Sequence, residues 1–160
     1  MKKGVNGNKN GFTIIEVALV LAIAGLIFMM VFIALPQLQR QQRDSRRRDD
    51  IITFLEAVKK YQTNNRGTLP TSQSEWDKFQ KDYVSNLVDP DGSDYKIVPA
   101  TCGSVDSNCA PSLKLDTVDH KLYVFTKATC DGSNAVGVSN PRSIAVLYRL
   151  EGSGVYCSNT

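Results

Sequence analysis

Between Phe12 and Leu35 the chain carries one charged side chain, Glu16. A helix over those residues rises about 36 Å, enough to cross the roughly 30 Å hydrocarbon core of a bilayer. Ahead of it stands a short polar leader with Lys2, Lys3 and Lys9, ending in Gly11. A secretory signal peptide keeps its apolar core in front of the cut and loses it. Here no small-residue cleavage site follows Leu35; the next residues are Pro36-Gln37-Leu38-Gln39-Arg40. The apolar segment is therefore expected to stay with the chain, buried in lipid or against other apolar helices.

Glu16 needs an explanation, because a carboxylate at mid-bilayer costs about 2.5–3.5 kcal/mol and less near an end. It either reaches the headgroups at the interface or meets a cation. If the chain is cut after Gly11, the new amine of Phe12 lies one helical turn before Glu16. That amine, or the amine of a neighbouring copy, could be the partner.

The run Gly11-Phe12-Thr13-Ile14-Ile15-Glu16-Val17 resembles the processing site of the type IV pilin and pseudopilin family. The resemblance implies that a prepilin peptidase cuts after Gly11 and that the exposed Phe12 is N-methylated. It also implies that Glu16 aids assembly by meeting the N-terminus of an adjacent subunit. Gly25 falls where the family often has a glycine. Pro36, the candidate kink, lies about three residues beyond the family's usual helix proline. The fold implied is α+β and type IV pilin-like, with a long N-terminal helix packed on a small antiparallel sheet. The expected organisation is a cleaved basic leader over 1–11 and a transmembrane or filament-core helix over 12–35. An amphipathic helical half follows over 36–63, then a globular head over 64–160.

Within the apolar half, Ala18, Ala22 and Gly25 recur at i, i+4 and i+7 on one helix face. Small residues at that spacing let backbones approach closely, which makes a candidate packing seam between copies; alanine and glycine are also simply common in membrane helices. Beyond Pro36, Ile51, Leu55 and Val58 form a second apolar stripe, widened by Phe54 and Tyr61, that should pack on a sheet. Asn64-Asn65-Arg66-Gly67 and then Pro70 mark its end. The mixed-sign run from Arg40 to Asp50 reads as a solvated helix face with i, i+3 or i, i+4 pairs. Contacts between subunits or with anionic headgroups are the alternatives.

Charge excludes little. The net +3 is carried by the leader; without Lys2, Lys3 and Lys9, 16 basic side chains face 16 acidic ones. Bulk charge therefore does not call for nucleic acid as an obligatory partner. The arginines after the apolar run leave orientation undecided by the positive-inside tendency alone. Cys102, Cys109, Cys130 and Cys157 all fall in the C-terminal part, and four cysteines in an exported domain suggest two disulfides with three pairings open. Pairing of neighbours, Cys102 with Cys109 and Cys130 with Cys157, closes two local loops and is the expectation. On the chain-entropy account these would contribute about 2.5 and about 3.5 kcal/mol. A zinc site is disfavoured, since there is no Cys-x-x-Cys pair and His120 is the only histidine.

In the head, Ser72 and Glu75 are spaced as a capping box ahead of a short helix whose apolar face is Trp76, Phe79, Tyr83 and Leu87. Trp76 reads as core. Asp89-Pro90-Asp91-Gly92-Ser93-Asp94-Tyr95 is a turn similar to one in several pseudopilins and pilins. Its aspartates invite a calcium reading, but the spacing is not that of an EF-hand and Asp and Gly are ordinary turn residues. Strands are expected over 121–126, 143–150 and 155–157, with another near Tyr95–Val98 or Ser112–Leu115, making a three- or four-stranded antiparallel sheet. Residues 130–134 read as a loop.

No catalytic constellation emerges: His120 stands alone, no serine sits in a nucleophile elbow and there is no phosphate loop. The expectation is a non-enzymatic building block without a cofactor or metal, held in the cytoplasmic membrane as a precursor and then added to an extracellular filament. The major pilin is the first choice, serving adhesion, twitching motility or DNA uptake. Its partners would be identical subunits, the prepilin peptidase and the membrane assembly machinery, with surfaces, host cells or DNA as candidate targets. The alternatives are a pseudopilin of a type II secretion system, or a single-pass anchored extracellular binding domain.

Overall fold

The computed structural model describes residues 11–109, 119–152 and 154–160. The leader lysines and the candidate strand at Ser112–Leu115 lie outside the described residues. Two compact units are present, one ending at Leu38 and the other running from Gln39 to Thr160. Helix α1 (Ile14–Asn64) contributes to both and runs through Pro36.

In the first unit α1 is bare. Phe12, Ile14, Leu21, Met29, Phe32 and Ile33 are all at least 64% exposed, and by length and composition the helix can cross a membrane. The helix begins at Ile14 rather than Phe12 because Thr13 occupies the N-cap position, where its side chain can serve backbone N–H groups that the helix leaves unpaired.

The second unit is a four-stranded sheet, in the order β1-β2-β5-β6, with helices on one face and a hairpin on the other. Its strands are β1 (Lys96–Thr101), β2 (Lys121–Thr126), β5 (Ile144–Leu150) and β6 (Gly154–Asn159); β3 (Ala128–Asp131) and β4 (Asn134–Gly137) make the hairpin. Helix α2 (Gln73–Tyr83) precedes the sheet. The pairings β2–β5 and β5–β6 are antiparallel, but β1 runs parallel to β2. The sheet is mixed, which corrects the all-antiparallel expectation. Parallel neighbours need a crossover rather than a tight turn, and segment 102–120 supplies the length.

Alternation along the strands splits the interior in two. Ile97, Leu122, Val124, Ile144, Val146, Tyr148 and Leu150 meet Ile51, Phe54, Leu55 and Val58 of α1 and Trp76 and Phe79 of α2. The stripe read from the sequence is thus the stripe that is buried, and Trp76 is core. Phe54, Trp76, Phe79, Tyr61 and Tyr83 form a chain of stacked and edge-on rings with centroids 5.4–6.2 Å apart. On the opposite face, Tyr123, Phe125, Ala145 and Leu147 are covered by Ala128 and Ala135 of the hairpin. Residues 130–134, expected as a loop, are instead the strand ends and turn of this hairpin. Gly132, at φ +58°, takes the first position of a two-residue connection between Asp131 and Asn134, which is where a primed hairpin turn wants glycine.

Disulfides join Cys102 to Cys109 and Cys130 to Cys157. The second ties β3 to β6, and the first closes a loop that presses against β4. A Cβ on Gly137 would run into the Ser104 carbonyl, so that close approach requires glycine. With all four cysteines oxidised, none is left as a thiolate ligand.

Helix α2 starts on the capping box expected from its sequence: Ser72 accepts from the Glu75 N–H, and the Glu75 carboxylate accepts from the Thr71 and Ser72 N–H groups. Its side chains also serve the outer edge of the sheet. Gln80 Nε2 donates to the Tyr95 carbonyl at 2.7 Å and Gln73 Nε2 to the Ile97 carbonyl at 3.1 Å.

Candidate processing and assembly site

The processing segment is built by the start of α1. Thr13 and Glu16 close a reciprocal cap: the Thr13 N–H and hydroxyl both donate to one Glu16 carboxylate oxygen at 2.8 Å, and the Glu16 N–H reaches back to Thr13 Oγ1 at 3.4 Å. This is the Thr-x-x-Glu form of the capping box. The sequence reading gave Glu16 only to the interface or to an amine, although the same spacing that identified the cap of α2 was present in Thr13-Ile14-Ile15-Glu16. In a single subunit the carboxylate is therefore already held, facing the chain N-terminal to the helix.

Gly11 and Phe12 lie just outside the helix, exposed and without regular structure. A peptidase that binds an extended backbone requires that arrangement, since a scissile bond inside a hydrogen-bonded helix is shielded. Ala18, Ala22 and Gly25 sit along α1, and a Cβ added to Gly25 would meet nothing within 4 Å. In the single chain the small-residue face thus has room above it.

A second constellation lies in the head, where the charged run of α1 meets the turn after α2. Arg47 is fully buried. Its guanidinium forks onto Asp89, Nε to Oδ2 and Nη2 to Oδ1 at 2.8 Å each, and its Nη1 reaches Glu151 at 2.7 Å and Asp44 at 3.2 Å. Arg43 holds the other side of Glu151 at 2.6 Å. Asp44 accepts the N–H groups of Glu151 and Gly152 in the turn between β5 and β6. The solvated-face reading of residues 40–50 fails at Asp44 and Arg47: they form an i, i+3 pair as expected, but both are buried and their other partners come from distant chain segments. Burial would raise the Asp89 carboxyl, but the bonds from Arg47, the Asp91 N–H and the Tyr148 hydroxyl outweigh it and hold it down at about 2. Hydrogen bonding to Arg43, joined by Arg47, likewise holds Glu151 down at about 2 despite partial burial.

Beside this cluster, Asp89, Asp91 and His120 bring potential metal-ligand atoms within 4.8 Å of one another. His120 Nε2 stands 3.3 Å from Asp91, while its Nδ1 is buried without a hydrogen bond. Asp89 has little to offer an ion. Its Oδ1 already accepts from Arg47 and the Asp91 N–H, and its Oδ2 from Arg47 and Tyr148, which fills the roughly four acceptor positions of a carboxylate. Free ligand capacity is confined to Asp91 and His120, too few for a protein-built calcium or zinc cage.

A capped helix long and apolar enough to cross a membrane opens on an exposed Gly-Phe bond, and a disulfide-bonded α+β head follows it in the chain, an arrangement like that of type IV pilins. Residues 6–32 match the family model described as the prokaryotic N-terminal methylation motif, so the chain carries the type IV pilin and prepilin signature. That motif implies processing by a prepilin peptidase. No curated protein and no solved structure matches the chain.

Proposed function

We propose that this protein is a structural subunit, and specifically the major pilin, of an extracellular type IV pilus-like filament. The carrying observation is the Thr13–Glu16 cap set immediately inside the Gly11–Phe12 bond, at the head of a helix whose apolar surface is uncovered. Cleavage after Gly11 and methylation of Phe12 would free an amine beside a carboxylate already held in place. The helix would then leave lipid for a core of identical helices, where Ala18, Ala22 and Gly25 allow close packing. There Glu16 of one copy meets the amine of another, converting a buried-charge penalty into a pair.

A secretion-system pseudopilin is the second reading; the turn from Asp89 to Tyr95 resembles one in several pseudopilins and pilins and does not separate the two. A single-pass anchored binding domain would keep its leader or be trimmed elsewhere. Two measurements separate these. Gly11→Val is expected to abolish leader removal, so the intact mass of the membrane-extracted protein should stay that of the precursor; a normal mature mass would contradict cleavage after Gly11. Sheared cell-surface fibres should have this chain as their main protein, beginning at methylated Phe12. Fibres made chiefly of another protein would leave the chain a minor or secretion-system subunit.

A further inference from the structure

The turn that ends α1 and the turn before β5 enclose a cleft of about 610 Å³ in the head, rimmed by Arg66, Lys127 and Arg142. A second concavity of about 450 Å³ shares Arg66, Gly67 and Arg142 with it and adds Lys59. The two make one groove with four cations along it. No aspartate or glutamate lines either concavity among the described residues, in a head where acidic side chains otherwise accompany the basic ones. None of the four cationic groups makes an ion pair or side-chain hydrogen bond with a described residue, whereas Arg43, Arg47 and Lys121 all do.

The backbone is built to present these groups. Arg66 and Lys127 occupy the left-handed region at φ +55° and +56°, which costs non-glycine residues free energy and persists only where the surroundings enforce it. Gly67, at φ +82°, lets the Arg142 guanidinium lie against its bare Cα; a Cβ there would stand 2.7 Å from Arg142 Nε. Gln62 fixes the Arg142 carbonyl from α1 at 2.9 Å.

We propose that this groove binds an acidic polysaccharide, a chain of sugars bearing carboxylates. The cations would take the carboxylates. The threonine side chains of the wall (Thr68, Thr71, Thr101 and Thr126) keep acceptor capacity for sugar hydroxyls, and proline faces give flat apolar patches for ring C–H groups. Four cations spread over two adjoining concavities offer an extended polyanion several contacts, where a small anion would reach only part of them. A nucleic acid fits less well, because single strands are gripped by stacking bases on exposed aromatic rings and the one aromatic residue of the lining, Trp76, is fully buried. The inference stands on the head alone and does not depend on the filament reading.

The test uses the full chain in detergent micelles, with alginate oligosaccharides as the probe and neutral dextran and single- and double-stranded DNA of matched charge as comparisons. Alginate is expected to bind saturably, more tightly than DNA, and dextran not at all. Combining Arg66→Gln, Lys127→Gln and Arg142→Gln should weaken alginate binding at least tenfold, since hydrogen bonds to charged groups are the strong ones. Lys78→Gln with Lys81→Gln, which remove the same kind of charge from α2, should change it less than twofold. All five side chains are exposed, and unchanged thermal unfolding verifies that each variant is folded. Absence of saturable alginate binding, equal losses in the two variant sets, or DNA binding as tight as alginate would each overturn the proposal.

Discussion

Glu16→Gln is expected to be synthesised, inserted and cleaved normally, yet to enter filaments at least tenfold less than the wild-type chain. The reasoning starts from the cap. Glutamine at the third helical position can still accept from Thr13, because the capping box tolerates Glu or Gln there. The helix start and the exposed Gly11–Phe12 bond should therefore be preserved, and with them peptidase recognition. What the amide cannot do is neutralise an amine. In a core of apolar helices an unpaired ammonium carries a penalty of several kcal/mol, and 1.4 kcal/mol already corresponds to a factor of ten. Glu16→Ala loses both roles, so it should assemble no better and should also fray the helix start, at a cost of about 1 kcal/mol. Thr13→Ala supplies the converse case, with a weakened cap and an intact charge, and is expected to polymerise. Quantifying each variant in sheared fibres against its membrane pool reads the difference. Abundant Glu16→Gln fibres would remove the ion pair from the mechanism and leave Glu16 a helix cap.

Arg47→Met should destabilise the head by about 3–5 kcal/mol, the range expected when one partner of a buried ion pair is removed. Domains of this kind have about 5–15 kcal/mol in all, so the variant should unfold at much lower temperature or fail to accumulate. The loss comes less from the missing attraction than from Asp89, which is left buried with only Tyr148 and the Asp91 N–H. Removing that orphan as well, in Arg47→Met with Asp89→Leu, should recover part of the stability. The two substitutions should thus couple by about 2 kcal/mol in a double-mutant cycle, read by thermal or denaturant unfolding in micelles. Additive losses would mean that Arg47 acts through packing alone.

The same cluster sets a pH window. Unfolded carboxylates titrate near 4, whereas Asp89 and Glu151 in the folded head titrate at about 2. The folded state therefore binds fewer protons than the unfolded state in that interval. Their contribution is fully present above about pH 5 and is lost as the pH falls from about 4 towards 2. Acid unfolding of the wild-type head should fall in that interval, and Arg47→Met should show a shallower dependence there.

Much of this architecture was legible because its signals are local. The membrane-length helix, the stripe at Ile51, Leu55 and Val58, the stop at Arg66-Gly67 and the Ser72–Glu75 cap each depend on residues within one or two turns of one another. The misses are long-range. Arg47 sits in a run of mixed charge that looks solvated, and its partners Asp89 and Glu151 lie 42 and 104 residues away; no periodicity encodes such a pairing. The parallel placement of β1 depends on where a crossover returns, which local propensity does not state. The hairpin β3–β4 was readable in part, since Asp131-Gly132-Ser133-Asn134 has turn chemistry. Its flanks, Ala128-Thr129-Cys130 and Ala135-Val136-Gly137, are too short and small to announce strands.

The two glutamines of α2 have a consequence for life at high density. Copies held in a membrane, as proposed, would meet one another constantly, and an unguarded β-ladder on one would template backbone pairing with the next, the first step toward amyloid-like stacking. Gln73 and Gln80 already occupy two carbonyls along the β1 border, which leaves that edge fewer free acceptors for such pairing. Under the proposed filament reading, self-association would be left to the apolar helix and would begin only once the leader is cut.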